Sequence, residues 1–164
     1  IICNGQVIDG ENSMAGKFAH ILVESGGRLC ACGKRGHLES YVSKPAMEEA
    51  YFEASGKRLE LPEICRLANA GETAAAAVLT DAIDKLAIGI NQILLVVNPG
   101  TLVLYGDLFE SVDGILERLK QKTKELAFTE EIADNCWMVR ETKNVRIEDS
   151  IARLSVERAL EIIV

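Results

Sequence analysis

The chain's only two histidines fall inside one short window together with a Cys-x-Cys: His20, nine residues, Cys30-Ala31-Cys32, four residues, His37. Two thiolates and two imidazoles form the donor set of a tetrahedral structural zinc, in which four protein ligands leave no open position for water. A chain that meets this demand must fold residues 20–39 into a compact knuckle, with Gly33 and Gly36 letting the backbone wrap close to the ion. The expected ion is therefore a staple and not a catalyst. The alternative reading makes the cysteines small core residues and the histidines surface or hydrogen-bonded groups. Cys3, Cys65 and Cys136 have no partners at ligand spacing and lie in apolar stretches, which predicts core positions for all three.

The rest of the pattern is α/β. Residues 1–8 read as two short strands around Asn4-Gly5, a dipeptide suited to a tight hairpin turn, with a plain loop as the alternative. A third strand is expected over 20–23, after which Gly26-Gly27 turns the chain into the cysteine segment. Helicity should begin at Leu38. Pro45 and Pro62 open helices over 45–54 and 62–70, since proline suits a first helical turn, and Gly56 stops the first of them. Val78, Leu79, Ala82, Ile83, Leu86, Ile90 and Ile93 recur at helical spacing and predict a long helix over 72–97, ended by Asn98-Pro99-Gly100. Thr101–Tyr105 is β-branched and apolar, 108–126 is an amphipathic helix, 136–141 a strand, and 148–163 a last helix. The predicted order is β-β-β-α-β-α-β-α, a mixed sheet with flanking helices.

Composition narrows the function. Asp and Glu outnumber Lys and Arg, 25 to 18, which argues against direct nucleic-acid contact by this segment, because phosphates require gathered cations. The longest apolar run is far too short to span a membrane, and five cysteines, an odd number, fit a reducing compartment better than a disulfide framework. A cytoplasmic protein without membrane contact is expected. The chain opens at Ile1 in an apolar stretch, which suggests an excised domain.

Ala15-Gly16-Lys17-Phe18-Ala19-His20, then Cys30-Ala31-Cys32-Gly33-Lys34-Arg35-Gly36-His37-Leu38-Glu39, closely resembles the ROK family of repressors and sugar kinases. That family shows Ala-Gly-Glu-x-Gly-His followed by Cys-x-Cys-Gly-x-x-Gly-Cys-x-Glu at this spacing. Asn4-Gly5, the helix after Glu39, and Asn98-Pro99 leading to Val103-Leu104-Tyr105-Gly106 extend the resemblance along nearly the whole chain. It implies an actin-like ATPase fold of ribonuclease H type, with residues 1–164 forming the C-terminal lobe and its zinc knuckle at about 20–39. The N-terminal lobe, which in relatives supplies the catalytic aspartate, and any DNA-binding domain would lie outside this sequence, so no catalytic residue is assigned.

The resemblance also assigns sites. His20 would ligate zinc and contact the sugar through its other ring nitrogen, with Glu39 accepting hydrogen bonds from the sugar's hydroxyls. Glu39 is alternatively an ordinary acid in a first helical turn. Lys17 stands where relatives carry a sugar-binding glutamate, offering only donors, and so favours an acidic sugar or sugar phosphate unless it simply points to solvent. His37 replaces the family's third cysteine, an acceptable exchange for zinc. Tyr105-Gly106-Asp107 stands where the family's kinases carry a Gly-Gly that admits nucleotide phosphates, and Ser155 falls near another glycine of that pocket, so the resemblance implies badly weakened ATP binding; Tyr105 is alternatively a core aromatic, which still leaves the glycine missing.

Three functions follow from the resemblance. The first is the effector-sensing and dimerisation domain of a sugar-responsive regulator, working as a homodimer. The others are a fragment of an ATP-dependent sugar kinase and a scaffold that no longer binds sugar.

Overall fold

A computed structural model describes residues 1–3, 6–129, 131, 134 and 136–140. The expected helix over 148–163 and Ser155 lie outside the described residues, as does the Asn4-Gly5 turn itself. Strands β1 (Ile2–Cys3) and β2 (Gln6–Val7) pair antiparallel across it, Ile2 with Val7 and Cys3 with Gln6. This hairpin is too short to bury a face. Cys3 is therefore exposed, against the core position expected for it, whereas Cys65 is buried as expected.

The helices follow their punctuation. After α1 (Glu39–Val42), α2 (Lys44–Ser55) and α3 (Leu61–Asn69) each carry a proline in the first turn, and α2 ends at Gly56. Helix α4 (Thr73–Val97) is capped by the Glu72 carboxylate, which accepts from the Ala75 amide at 2.7 Å. It ends where Asn98 turns left-handed, a conformation asparagine tolerates better than most residues. Its apolar stripe, Val78, Leu79, Ala82, Ile83, Ala87, Ile90 and Leu94, is buried against Met47 and Tyr51 of α2 and Leu61, Ile64 and Cys65 of α3. Among the described residues no helix is long and apolar enough to cross a membrane.

Strand β3 (Thr101–Tyr105) pairs in parallel with β4 (Cys136–Arg140), Thr101 opposite Cys136 and Tyr105 opposite Arg140. The single helix expected over 108–126 is two, α5 (Asp107–Ser111) and α6 (Ile115–Leu126). The break is at Val112-Asp113-Gly114, where Gly114 adopts φ +63°; Asp-Gly is a turn dipeptide, so the signal was present but the apolar periodicity overrode it. Leu108, Val112, Ile115 and Leu119 still reach the main core. Asn91, buried in α4, ties the two layers by donating to the Thr123 carbonyl of α6 at 3.0 Å.

The third strand expected over 20–23 does not form. Residues Phe18–His20 make a 3-10 turn, and Leu22 retains one isolated bridge, to His37. The physical reason is the knuckle: its backbone groups, not a strand's, take up the hydrogen bonds of this segment, with Val23 and Glu24 amides both donating to the Gly36 carbonyl.

Candidate metal centre

Two backbone arms hold the knuckle. Leu29 bridges Arg35, the Cys30 amide donates to the Lys34 carbonyl at 2.8 Å, and the Gly33 amide closes a turn onto the Cys30 carbonyl at 2.9 Å. The Gly36 amide then donates to the Arg28 carbonyl at 2.8 Å, bringing the chain back beside its own entry. At Gly36 φ is +81°, and a methyl built there would overlap the Glu24 carbonyl oxygen, so only glycine lets the two strands of chain approach this closely. His37 follows directly and Leu38 begins the seat on α4, pressed against Gly89, where the helix backbone is bare.

The knuckle is fastened to α4 on its other flank as well. Tyr41 is 2% exposed, and its hydroxyl accepts from the Arg28 amide at 2.8 Å. Arg28 pairs with Asp81 at 2.9 Å and Lys85 with Glu24 at 2.7 Å, both cations lying beside the Tyr41 ring. Burial pushes the Tyr41 hydroxyl pKa up, which keeps it neutral. An open cleft of about 660 Å³ runs between these residues and α2. None of this network was singled out from the sequence; Tyr41 carries no motif, and its role exists only where a loop thirteen residues away folds onto it.

The Lys85 ammonium holds the Glu24 carboxyl below its ordinary range, with Tyr41 adding to the effect. A depressed folded-state pKa contributes stability that is present above the unfolded value and lost as pH falls through the folded one. Glu24→Gln should therefore lower the melting temperature at neutral pH. In acid, below the carboxylate range, wild type and variant should melt together, which a pH series of thermal scans checks.

All four residues predicted as metal ligands meet. One ligand atom from each of His20, Cys30, Cys32 and His37 lies within 4.8 Å of the others. Cys30 Sγ is 3.8 Å from His20 Nδ1, and Cys32 Sγ is 3.2 Å from His37 Nδ1. A tetrahedron with Zn–N and Zn–S bonds of about 2.0–2.3 Å has edges of about 3.3–3.8 Å. The residues present thus fit a tetrahedral ion with little movement. Cys30 is buried, His20 and Cys32 are exposed and His37 is half-buried, so the site faces solvent on one side.

The Cys30 sulfur accepts from the Cys32 amide, the strongest single influence on it and one that lowers its pKa. Burial, the Glu39 carboxylate and the Cys32 thiol together outweigh that bond and push the pKa up. A metal must therefore displace a proton here. His20 sits at the end of the 3-10 turn begun after Lys17, which is exposed. Glu39 opens α1, with its Oε2 accepting from Cys30 Sγ at 3.1 Å. Tyr105, Gly106 and Asp107 lie elsewhere, at the β3–α5 junction, with Tyr105 58% exposed and not a core aromatic.

The ROK family model matches residues 1–146. The chain is 30% identical over 118 residues to the N-acetyl-D-glucosamine kinase of Shigella boydii serotype 4 (strain Sb227), covering 66% of this chain and 39% of that protein. It is 25% identical over 130 residues to the xylose repressor of Bacillus subtilis (strain 168), covering 79% of this chain and 34% of the repressor. It therefore spans only about a third to two fifths of the length of these relatives. In three dimensions 84% of it superposes on 45% of the ROK hexokinase from Thermus thermophilus, at 25% identity and a TM-score of 0.73. The α/β fold is accordingly of the actin-like ATPase type, and the chain belongs to the ROK family.

Proposed function

We propose that this chain is the effector-sensing and dimerisation part of a sugar-responsive ROK transcriptional regulator, equivalent to the family's C-terminal lobe, with a structural zinc in the knuckle and a degraded nucleotide site. DNA contact would belong to another domain of a cytoplasmic homodimer. The observation that carries the reading is the β3–α5 junction. There Tyr105 projects into solvent, and the helix beginning after Gly106 has Asp107 and Glu110 in its first turn. A helix N-terminus ordinarily welcomes phosphate; two carboxylates at this one repel it.

The sugar end of the site keeps more of its chemistry. His20 would hold the ion through one ring nitrogen, which would fix its ring and leave the other nitrogen for a sugar hydroxyl. Glu39 supplies carboxylate acceptors to neighbouring hydroxyls, and Lys17 supplies a cation in place of a further acceptor. An effector bearing a carboxylate or phosphate therefore fits this set better than a neutral hexose.

Calorimetry of the full-length protein with a panel of neutral and acidic sugars, and separately with ATP, tests both halves. Expected are binding of an acidic sugar or sugar phosphate that Glu39→Gln weakens, a shift towards neutral hexoses in Lys17→Glu, and no heat from ATP. The kinase reading is favoured by the greater identity to the Shigella kinase than to the repressor, and by the survival of His20 and Glu39. ATP-dependent phosphorylation of a hexose by the full-length protein would decide for it.

A further inference from the structure

The carboxylate nearest the knuckle's donors is not one of the four that cluster. Glu39 Oε2 lies 3.1 Å from Cys30 Sγ and 3.9 Å from His20 Nδ1, and those two atoms are 3.8 Å apart. Oxygen, sulfur and nitrogen thus close a triangle whose sides are close to the edges of a zinc tetrahedron, about 3.3–3.8 Å. Glu39 stands outside the group of four mutually close donors. It therefore completes a second donor set, which shares His20 and Cys30 with the first.

The two sets differ in how they are anchored. Cys32 sits exposed in the turn closed by the Gly33 amide, and its imidazole neighbour His37 is half-buried. Cys30 is buried, and Glu39 begins a helix seated on α4 through Leu38 and Gly89. Cys30 and the carboxylate are thus better supported than Cys32.

We propose that Glu39 is an exchange ligand of the metal centre, holding the ion with His20 and Cys30 when Cys32 or His37 releases it. In the exchange with Cys32, the metal–sulfur bond breaks, the thiolate takes a proton from solvent, and the Glu39 carboxylate gives an electron pair to the metal. His20, Cys30, His37 and Glu39 would then hold the ion, so the exchange keeps four protein ligands and a closed tetrahedron. The inference rests on the knuckle being a metal centre. It also makes one carboxylate serve either the ion or a sugar hydroxyl, so that metal exchange and effector binding compete.

Cobalt(II), which reports its ligands through thiolate charge-transfer and d–d bands, is the probe. Wild type, Glu39→Gln, Cys32→Ala and the double variant are titrated with it, circular dichroism checking that each keeps its helices. Cys32→Ala should retain cobalt with half the charge-transfer intensity. Glu39→Gln should cost little affinity in the wild type but more than about 100-fold in Cys32→Ala, beyond the 10–100-fold typical of a group that only hydrogen-bonds a ligand. His37→Ala offers an independent background in which the same coupling should appear. Equal losses from Glu39→Gln in all backgrounds would make it a mere partner of the Cys30 sulfur and overturn the proposal. Wild-type protein that binds no cobalt would instead overturn the metal centre.

Discussion

Gly36→Ala should destabilise the chain by at least about 3 kcal/mol, combining a left-handed backbone forced on alanine with a methyl driven into main chain. The atom in the way is the Glu24 carbonyl oxygen, and it cannot rotate aside as a side chain would. Relief requires the two arms of the knuckle to part, which breaks the bonds from the Val23 and Glu24 amides to the Gly36 carbonyl and from the Gly36 amide to Arg28. Gly33→Ala is the control: φ is +84° there too, but nothing lies within 4 Å of an added methyl. It should cost only the conformational penalty, about 1–2 kcal/mol. For a domain of this size the larger loss corresponds to a fall in melting temperature of about 6–12 °C. Equal melting temperatures for the two variants would show that the close approach at Gly36 is not there in solution.

Protein purified without chelator should carry one equivalent of zinc, and Cys30→Ser should carry none. Cys30 is the buried sulfur and shares contacts with His20, Cys32 and Glu39, so serine in its place leaves a harder, weaker donor where the ion needs thiolate. Because the ion binds the folded knuckle, free zinc at 100 times its dissociation constant adds about 2.7 kcal/mol. Removing it should then lower the melting temperature by about 5–11 °C at the usual 2–4 °C per kcal/mol. Metal analysis and thermal scans with and without chelator read both effects. A chain that holds no stoichiometric zinc, or melts unchanged after chelation, would leave the four donors as an ordinary polar cluster.

Much of this architecture is readable from single residues, because their constraints are local. Pro45 and Pro62 cannot sit deep in a helix, Asn98 tolerates a left-handed turn, and Thr101–Tyr105 is β-branched and apolar as strands are. The four candidate ligands were readable for a related reason: soft donors at short spacing on a glycine-containing segment can meet without help from the rest of the fold. Local reading failed where two segments competed for the same hydrogen bonds. Residues 20–23 have the composition of a strand, yet the amides of Val23 and Glu24 are taken by Gly36. Between α5 and α6 the apolar spacing of Leu108, Val112, Ile115 and Leu119 masked a turn, since both helices point those residues into one core.

Sequence alone determined which donors this protein has, how far apart they stand along the chain, and where its helices start and stop, since each depends on residue type and near neighbours. Only the tertiary structure decided that Tyr41 and Leu38 seat the knuckle on α4, that Glu24 leaves no room for a side chain at Gly36, and that Glu39 meets the His20–Cys30 edge. Those contacts join parts of the chain whose meeting is set by packing, and packing is a property of the whole core.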